Sequence, residues 1–594
     1  MRDTMNELER FSPFGGELIV EEVAGANNEF KTAENSVFTN KGKDRDMYSY
    51  VPKSGCPDAK QGQVLFVLRN DASKESAEKA LKEYGLDTLA EERHFTVLFP
   101  NPEEGGWNYC DDPEREDDKS FFVRCFAALP KSKGGVAGFN GMMFYLALDK
   151  ESSAMASTLS AKSPIDCAAM MVGAYPEGYV IPEGVRQPQV AWVYEKNGQA
   201  EEYLGNVNGP LSETEREGVC VFTNTVNPNI RHFVSEGGLN PEEIVKAWDM
   251  MFSEARRWRN DTYGTYQERT NFTEWGFVPH VKDTSLGVNN GFAHTWYEYV
   301  PEEVRNSDKK VPLLFYFHGG NCIPLYGAEQ SDWHRIAKRD GFIVVYPKAS
   351  TQKRWNCWDE QDEPSDFAFV MALIEHMKKL YPIDETRIYA SGFSMGSMMT
   401  NALCCAFPEV FAGGAAFNAQ NLGYFKNLKS TFGALNMGGR SPYTEEELNA
   451  PSHTKQLADE KNKDHRYRMP LIQNSGLLDG LGTRGWPIKD AGNIWLETFD
   501  YWKAFNNIPV TPFEYSDEYE TGIKADASCY EGEDERFIHH VWYSQDEGHL
   551  PLYQVMVAKR MPHAVDLRQI RFAWEFIRHY SREADGTLTY TEQL

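Results

Sequence analysis

Arg387-Ile388-Tyr389-Ala390-Ser391-Gly392-Phe393-Ser394-Met395-Gly396-Ser397-Met398-Met399 decides how this chain is read. Arg387 to Ala390 reads as a buried strand end, Gly392 to Gly396 as a tight turn, and an apolar helix follows. Gly-x-Ser-x-Gly at a strand-to-helix junction lifts a serine oxygen above a sheet. There it meets a helix N-terminus, whose N–H groups favour negative charge. The two glycines let backbones approach where a Cβ would clash. Alone, this motif also occurs as an ordinary turn, so the surrounding chain must decide its meaning.

Upstream, Leu313-Leu314-Phe315-Tyr316-Phe317 is a buried strand ending at His318-Gly319-Gly320. A second strand, Gly341 to Pro347, precedes Trp355-Asn356-Cys357-Trp358, and a helix from Asp366 to Leu380 leads into the Ser394 strand. Downstream, Leu471-Ile472-Gln473-Asn474 ends in a turn containing Asp479, and His563 lies between the strand 554–557 and a helix from Leu567 to about Tyr580. Strands alternating with helices at this spacing indicate a parallel α/β sheet.

Acyl transfer through a serine needs a base to move its proton and donors for the oxyanion. The order serine, acid, histidine is the one this fold type uses. It makes Ser394 the nucleophile candidate, Asp479 the acid and His563 the base. His539, His540 and His549 also follow, but only His563 sits at a strand-to-helix junction; Asp490 lies further from its strand end than Asp479. The expected oxyanion donors are the backbone N–H groups of Met395 and Gly320. Trp355 and Trp358 are candidate substrate-binding residues, although such tryptophans are more often core. Asp366 is expected to cap or support its helix.

The chain has 594 residues and a formal net charge of −27. This acidity argues against nucleic acid or an anionic membrane as partner, since phosphate binding needs basic surface. No apolar run is long enough to span a bilayer. The acidic runs 111–118 and 531–535 read as solvated loops. Met1 to Arg10 is polar, and the 10 cysteines show no repeated Cys-x-x-Cys, so a cytoplasmic protein is expected. Free thiols at Cys322 and Cys357 are then expected, with their pairing left open. No dinucleotide fingerprint, Walker loop or metal-ligand spacing is present, so neither cofactor nor metal is expected.

The first half repeats the order of the second. Trp107-Asn108 and Trp355-Asn356 stand 248 residues apart, and the strands Val64 to Leu68 and Leu313 to Phe317 stand 249 apart. Further first-half strands are expected at 94–100, 142–148 and 190–194, with a helix from Pro241 to about Trp258. The reactive residues do not repeat: Lys150 is expected opposite Ser394, Asn197 opposite Asp479, and Gly237 opposite His563. The expected division is therefore residues 1–265, a degenerate copy, and residues 266–594, the reactive domain.

The segments Tyr316 to Gly320, Gly341 to Pro347, Trp355 to Trp358, Tyr381 to Tyr389 and Gly392 to Gly396 together resemble the polyhydroxybutyrate depolymerase / feruloyl esterase family of α/β-hydrolases. The resemblance covers about residues 300–594. It implies a serine carboxylic-ester hydrolase with a Ser-Asp-His triad and no cofactor or metal, and together with the repeat the expected fold is tandem α/β-hydrolase domains. Two departures stand out. Gly320 replaces the cysteine that often follows His-Gly in the family, with Cys322 two residues later, and Ser397 replaces a frequent glycine. The expected substrate is a soluble or oligomeric ester, of a hydroxyalkanoate or an aromatic acid. A peptidase or acyltransferase on the same residues is an alternative, as is a scaffold that has lost activity. Whether the first half covers the site, builds a homo-oligomer or only stabilises its twin is open at this level.

Overall fold

The computed structural model describes residues 15–592 except 32–36, 54–61, 111, 133–137, 163–166, 183–187, 262–263, 321, 352–353, 360, 362, 420–451, 480–485, 492 and 533. The segment Met1 to Arg10 and most of the loop 421–468 therefore lie outside the described residues. The chain forms two compact units, residues 1–271 and 272–594.

The first unit is built on a ten-stranded sheet: β1 (Leu18–Val23), β2 (Arg45–Tyr50), β3 (Gly62–Leu68), β4 (Thr96–Pro100), β5 (Gly138–Ala147), β6 (Ala169–Val172), β7 (Ala191–Val193), β8 (Leu211–Arg216), β9 (Val219–Asn224) and β10 (Arg231–Val234). The spatial order is β1-β2-β4-β3-β5-β6-β7-β10-β9-β8, parallel from β4 to β10 with antiparallel pairs at both edges.

The second unit also has ten strands: β11 (Val278–Asp283), β12 (His294–Tyr299), β13 (Val311–Phe317), β14 (Ile343–Pro347), β15 (Ile383–Phe393), β16 (Gly413–Phe417), β17 (Leu471–Gly476), β18 (Ala527–Glu531), β19 (Phe537–Trp542) and β20 (Tyr553–Ala558). Their order, β11-β12-β14-β13-β15-β16-β17-β20-β19-β18, repeats that of the first sheet strand for strand. Each unit is an α/β-hydrolase-type sheet with helices between its parallel strands.

Parallel strands are covered on both faces, so they read as unbroken apolar runs. Every residue of β13 is buried, as is every residue of β14. Fully burying a leucine or phenylalanine stabilises by about 1.5–3 kcal/mol, so these central strands anchor the unit. The helix Asp366–Leu380 opens with Ser365, whose hydroxyl accepts from the Ala368 N–H, and buries Phe369, Val370, Leu373 and Met377. Asp366 supports the preceding loop instead, accepting from the Ser350 N–H and hydroxyl and the Asn356 N–H.

Three sequence expectations need correction. The helix from Pro241 stops at Ala247, gives way to a π-turn at Trp248–Phe252, and Arg257–Trp258 is a strand. A four-residue strand, β6, stands between the expected third and fourth strands. Asp118, in the acidic run 111–118, is not solvated: it is buried and paired with Arg45 at 2.6 Å. Among the described residues no helix is long and apolar enough to cross a membrane.

Candidate active site

Ser394 stands between β15 and the helix Met395–Ala406, with φ 55° and ψ −117°. This backbone is rare for a residue with a Cβ and is kept only where surroundings impose it. The surroundings are backbone. A Cβ on Gly396 would stand 1.9 Å from the Phe317 carbonyl oxygen, and one on Gly392 would stand 2.4 Å from that of Gly396. The elbow thus exists because β13 and the helix touch main chain to main chain. The Ser394 N–H donates to the Phe417 carbonyl at 2.8 Å, while its side chain makes no capping bond to the helix. As the first residue of that helix, Met395 has an N–H without an intrahelical acceptor.

The His-Gly-Gly loop abuts the serine: a Cβ on Gly319 would meet that of Ser394 at 3.4 Å. His318, which follows β13, holds this loop. Its Nδ1 lies 2.8 Å from the Gly319 carbonyl, its Nε2 accepts from the Ala349 N–H at 3.2 Å, and its own carbonyl accepts from Trp355 Nε1 at 2.8 Å. Gly320 lies at the tip of the loop, and its carbonyl oxygen is 3.4 Å from Cys322 Sγ. Cys322 and Cys357 are both free thiols. Burial pushes the Cys357 thiol well above its ordinary range, which leaves it inert.

Asp479 and His563 come together although 84 residues separate them. His563 Nδ1 donates to Asp479 Oδ2 at 2.9 Å; the carboxylate is buried and the imidazole is 21% exposed. Gly476 makes this possible, since its missing Cβ would stand 2.1 Å from the Met561 carbonyl oxygen. The Leu477 and Leu478 N–H groups donate to the Ala558 and Met561 carbonyls, tying the acid's turn to the histidine's loop. His563 Nε2 is buried and has no hydrogen-bond partner among the described residues. The ring packs on Phe393, the residue before Ser394, with centroids 4.8 Å apart.

Two contributors were not expected. Asn418, at φ 57°, follows β16; its carbonyl oxygen Oδ1 accepts from the Gly476 N–H at 2.9 Å, and its Nδ2 donates to the Ala564 carbonyl. It therefore joins three strand ends, and a lone asparagine after a strand is the only sequence signal, because asparagine tolerates the left-handed region. His318 is the other, hidden in sequence as part of a glycine turn. Trp355 and Trp358 are corrected in the opposite sense. Both are core residues, Trp355 packing edge-on against Phe317 and Trp358 lying under the Arg354 guanidinium, so they shape the loop from behind.

In the first unit the ladder places Ala147 beside Leu68 as it places Gly392 beside Phe317. Asp149, not Lys150, then stands at the register of Ser394, and Ala147 and Glu151 stand at those of the two glycines. Asp149 is an ordinary cap, accepting from the Ser152 N–H at 2.8 Å. Asn197 caps the helix Gly198–Val207 and donates to the Gly173 carbonyl. At Gly237 a Cβ would meet Glu243 Oε2 at 2.4 Å.

Residues 297–445 match the family described as esterase PHB depolymerase. The chain is 31% identical to feruloyl esterase B of Talaromyces funiculosus over 155 residues, 24% of this chain and 42% of that protein. It is 43% identical to the bifunctional acetylxylan esterase/xylanase XynS20E of Neocallimastix patriciarum over 89 residues, 15% of this chain and 13% of that protein. Poly(3-hydroxyalkanoate) depolymerase C of Paucimonas lemoignei matches at 26% over 163 residues, 26% of this chain and 38% of that protein. The chain thus spans less than half the length of these relatives. The expected cytoplasmic location is overturned by them: enzymes named for feruloyl, xylan and poly(3-hydroxyalkanoate) esters point outside the cell. A polar first segment and free thiols do not by themselves report a compartment.

Proposed function

We propose that residues 272–594 form a serine carboxylic-ester hydrolase. The observation that carries this reading is the His563 imidazole: Nδ1 is committed to Asp479, and Nε2 is buried with no partner among the described residues. Nδ1–H bound to a carboxylate fixes the tautomer, leaving an Nε2 lone pair to take a proton. Ser394 Oγ then attacks the ester carbonyl carbon as its proton passes to Nε2. The oxyanion is met by the N–H groups of Met395 and Gly320, each such donor being worth about 3 kcal/mol in the transition state. Collapse expels the alcohol, which takes the proton back from His563. Water, deprotonated by the same nitrogen, releases the acid and restores Ser394. Asp479 stays ionised and balances the imidazolium.

The relatives' names favour an ester of a short acyl or aromatic acid on a soluble or oligomeric carbohydrate, or of a hydroxyalkanoate. Residues 1–271 are, in the same reading, a degenerate copy of the fold. Three features support this: the repeated strand order, Asp149 at the position of Ser394, and Glu243 in the space a side chain at 237 would need.

An ester panel varying acyl length and aromatic acid, run beside a peptide panel, tests the reading. Ester turnover that vanishes in Ser394→Ala while the protein stays folded is expected. Turnover of peptides alone would make the protein a peptidase, and failure of folded protein to react with a fluorophosphonate would leave a scaffold.

A further inference from the structure

A second cluster of reactive side chains lies on elements that carry neither Ser394, Asp479 nor His563. His280 on β11, Glu298 on β12 and His376 on the helix Asp366–Leu380 each bring one ligand atom within 4.8 Å of the others. His280 Nε2 is 3.0 Å, and His376 Nε2 3.7 Å, from the same oxygen of Glu298. Neighbouring ligands of a tetrahedral ion, bound at about 2.0–2.1 Å, stand about 3.3 Å apart. The three atoms are thus held at close to ligand spacing.

Their surroundings fit an ion better than a plain ion pair. Both Nε2 atoms are buried yet make no directed hydrogen bond among the described residues, His280 included despite its short approach. Glu298 is fully buried, while the two imidazoles are 20% and 24% exposed, which leaves a path from solvent. Trp296 Nε1 and the Tyr381 hydroxyl donate to the two carboxylate oxygens, each at 3.0 Å. His280 stacks on Trp296 at 4.3 Å, and its Nδ1 faces Asp283 at 3.7 Å. Outer partners of this kind orient metal ligands.

The first unit supplies a control. In its ladder Glu21 pairs with Met47 as His280 pairs with Trp296, so Ser49 stands at the position of Glu298. Ser49 donates to Glu21 at 3.0 Å, and Ala128 takes the place of His376 on the equivalent helix. The fold therefore closes at this point without imidazoles. The three residues also fall far apart in sequence, which is why no ligand spacing was visible there.

We propose that His280, Glu298 and His376 bind one divalent transition-metal ion, zinc being the best chemical match, with water completing the shell. The other grouping of this kind, Cys529, Glu531 and His539, is a weaker candidate: His539 Nε2 is already engaged with Gln554 at 2.7 Å, and its Nδ1 with Glu531 at 3.0 Å.

The test uses the full chain stripped with EDTA, and zinc chloride as the probe. Calorimetry is expected to give one equivalent bound, and X-ray absorption a shell of nitrogen and oxygen only. His280→Gln and His376→Gln, each checked for native circular dichroism, should weaken zinc binding by about 100-fold or more, at or beyond the upper end of losses seen for outer-shell changes. His539→Gln should leave it unchanged. A sulfur neighbour, no binding by the folded protein, or unaltered affinity in both glutamine variants overturns the proposal.

Discussion

The two sheets repeat one strand order and share fine detail behind it. In both, the tryptophan of a Trp-Asn pair donates to the carbonyl just after the central strand, Trp107 to Arg69 at 3.0 Å and Trp355 to His318 at 2.8 Å. In both, the asparagine N–H donates to the first residue of the next helix, Asn108 to Asp118 and Asn356 to Asp366, at 2.7 Å each. They part at the turn after the fifth strand. Ala147 and Glu151 leave the first unit with a relaxed, capped helix start; Gly392 and Gly396 let the second force Ser394 to positive φ. They part again beneath the Trp-Asn loop, where Arg45 neutralises Asp118 in one, and Asp366 in the other is held, among the described residues, by dipoles alone. Scaffold bonds are common to both units, whereas strain at this turn, and a buried acid with no ion pair among the described residues, belong to the unit with the candidate site.

The largest effect expected is on chemistry. Ser394→Ala should cut ester turnover by at least about 10⁴-fold with unchanged circular dichroism; retained turnover would break the contrast by moving the activity off the elbow. Next, Arg45→Ala strands the Asp118 charge in the first core and should cost about 3–5 kcal/mol in urea unfolding. Its counterpart Ser350→Ala removes one of three donors to Asp366 and should cost about 1–2 kcal/mol. Equal losses would mean the two acids are held alike.

Gly396→Ala should destabilise by about 3 kcal/mol, because its Cβ meets main chain. Glu151→Ala, at the same register of the other sheet, should stay within about 0.5 kcal/mol. The last effect is a slope. Burial raises Asp366 from 3.8 to about 6. Between about pH 4 and 6 the folded chain then holds a proton that the unfolded chain has lost. The wild type should therefore lose stability relative to Asp366→Asn as pH rises through that window, by up to about 1.4 kcal/mol per pH unit. His294 and His540, which burial lowers to about 4 and about 3, pull the other way, so the difference between the two proteins is the quantity to measure. A flat difference would show Asp366 to be as well compensated as Asp118.

Much of the second unit was legible because its signals are local. The apolar run of β13, the glycine turn and the helix Asp366–Leu380 are each set by neighbours a few residues away. Asp479 and His563 could be picked out by chain order, though their 2.9 Å contact rests on Gly476, whose role is visible only once Met561 lies against it. The one-residue slip at Lys150 has a similar cause: hydrogen bonds from β3 to β5 fix the register, and spacing counted across loops does not. Strand β6 was missed because four apolar residues do not separate a strand from a buried loop. Pocket and core both stay open for Trp355 and Trp358 in the sequence, because a tryptophan signals size, not which side of a loop it faces. The His280, Glu298 and His376 grouping needs two strands and a helix to exist at all.

Strand β20 enters the sheet between β17 and β19, and it is the strand that delivers His563. During synthesis, a chain that has not yet reached Tyr553 has β17 with one row of main-chain groups unpaired, an open edge inviting other strands. The same chain has a serine at its elbow but no base to activate it. On the proposed mechanism, the insertion that closes the edge is also the one that gives Ser394 its base, so nascent polypeptide passes from sticky and inert to sealed and reactive in one event.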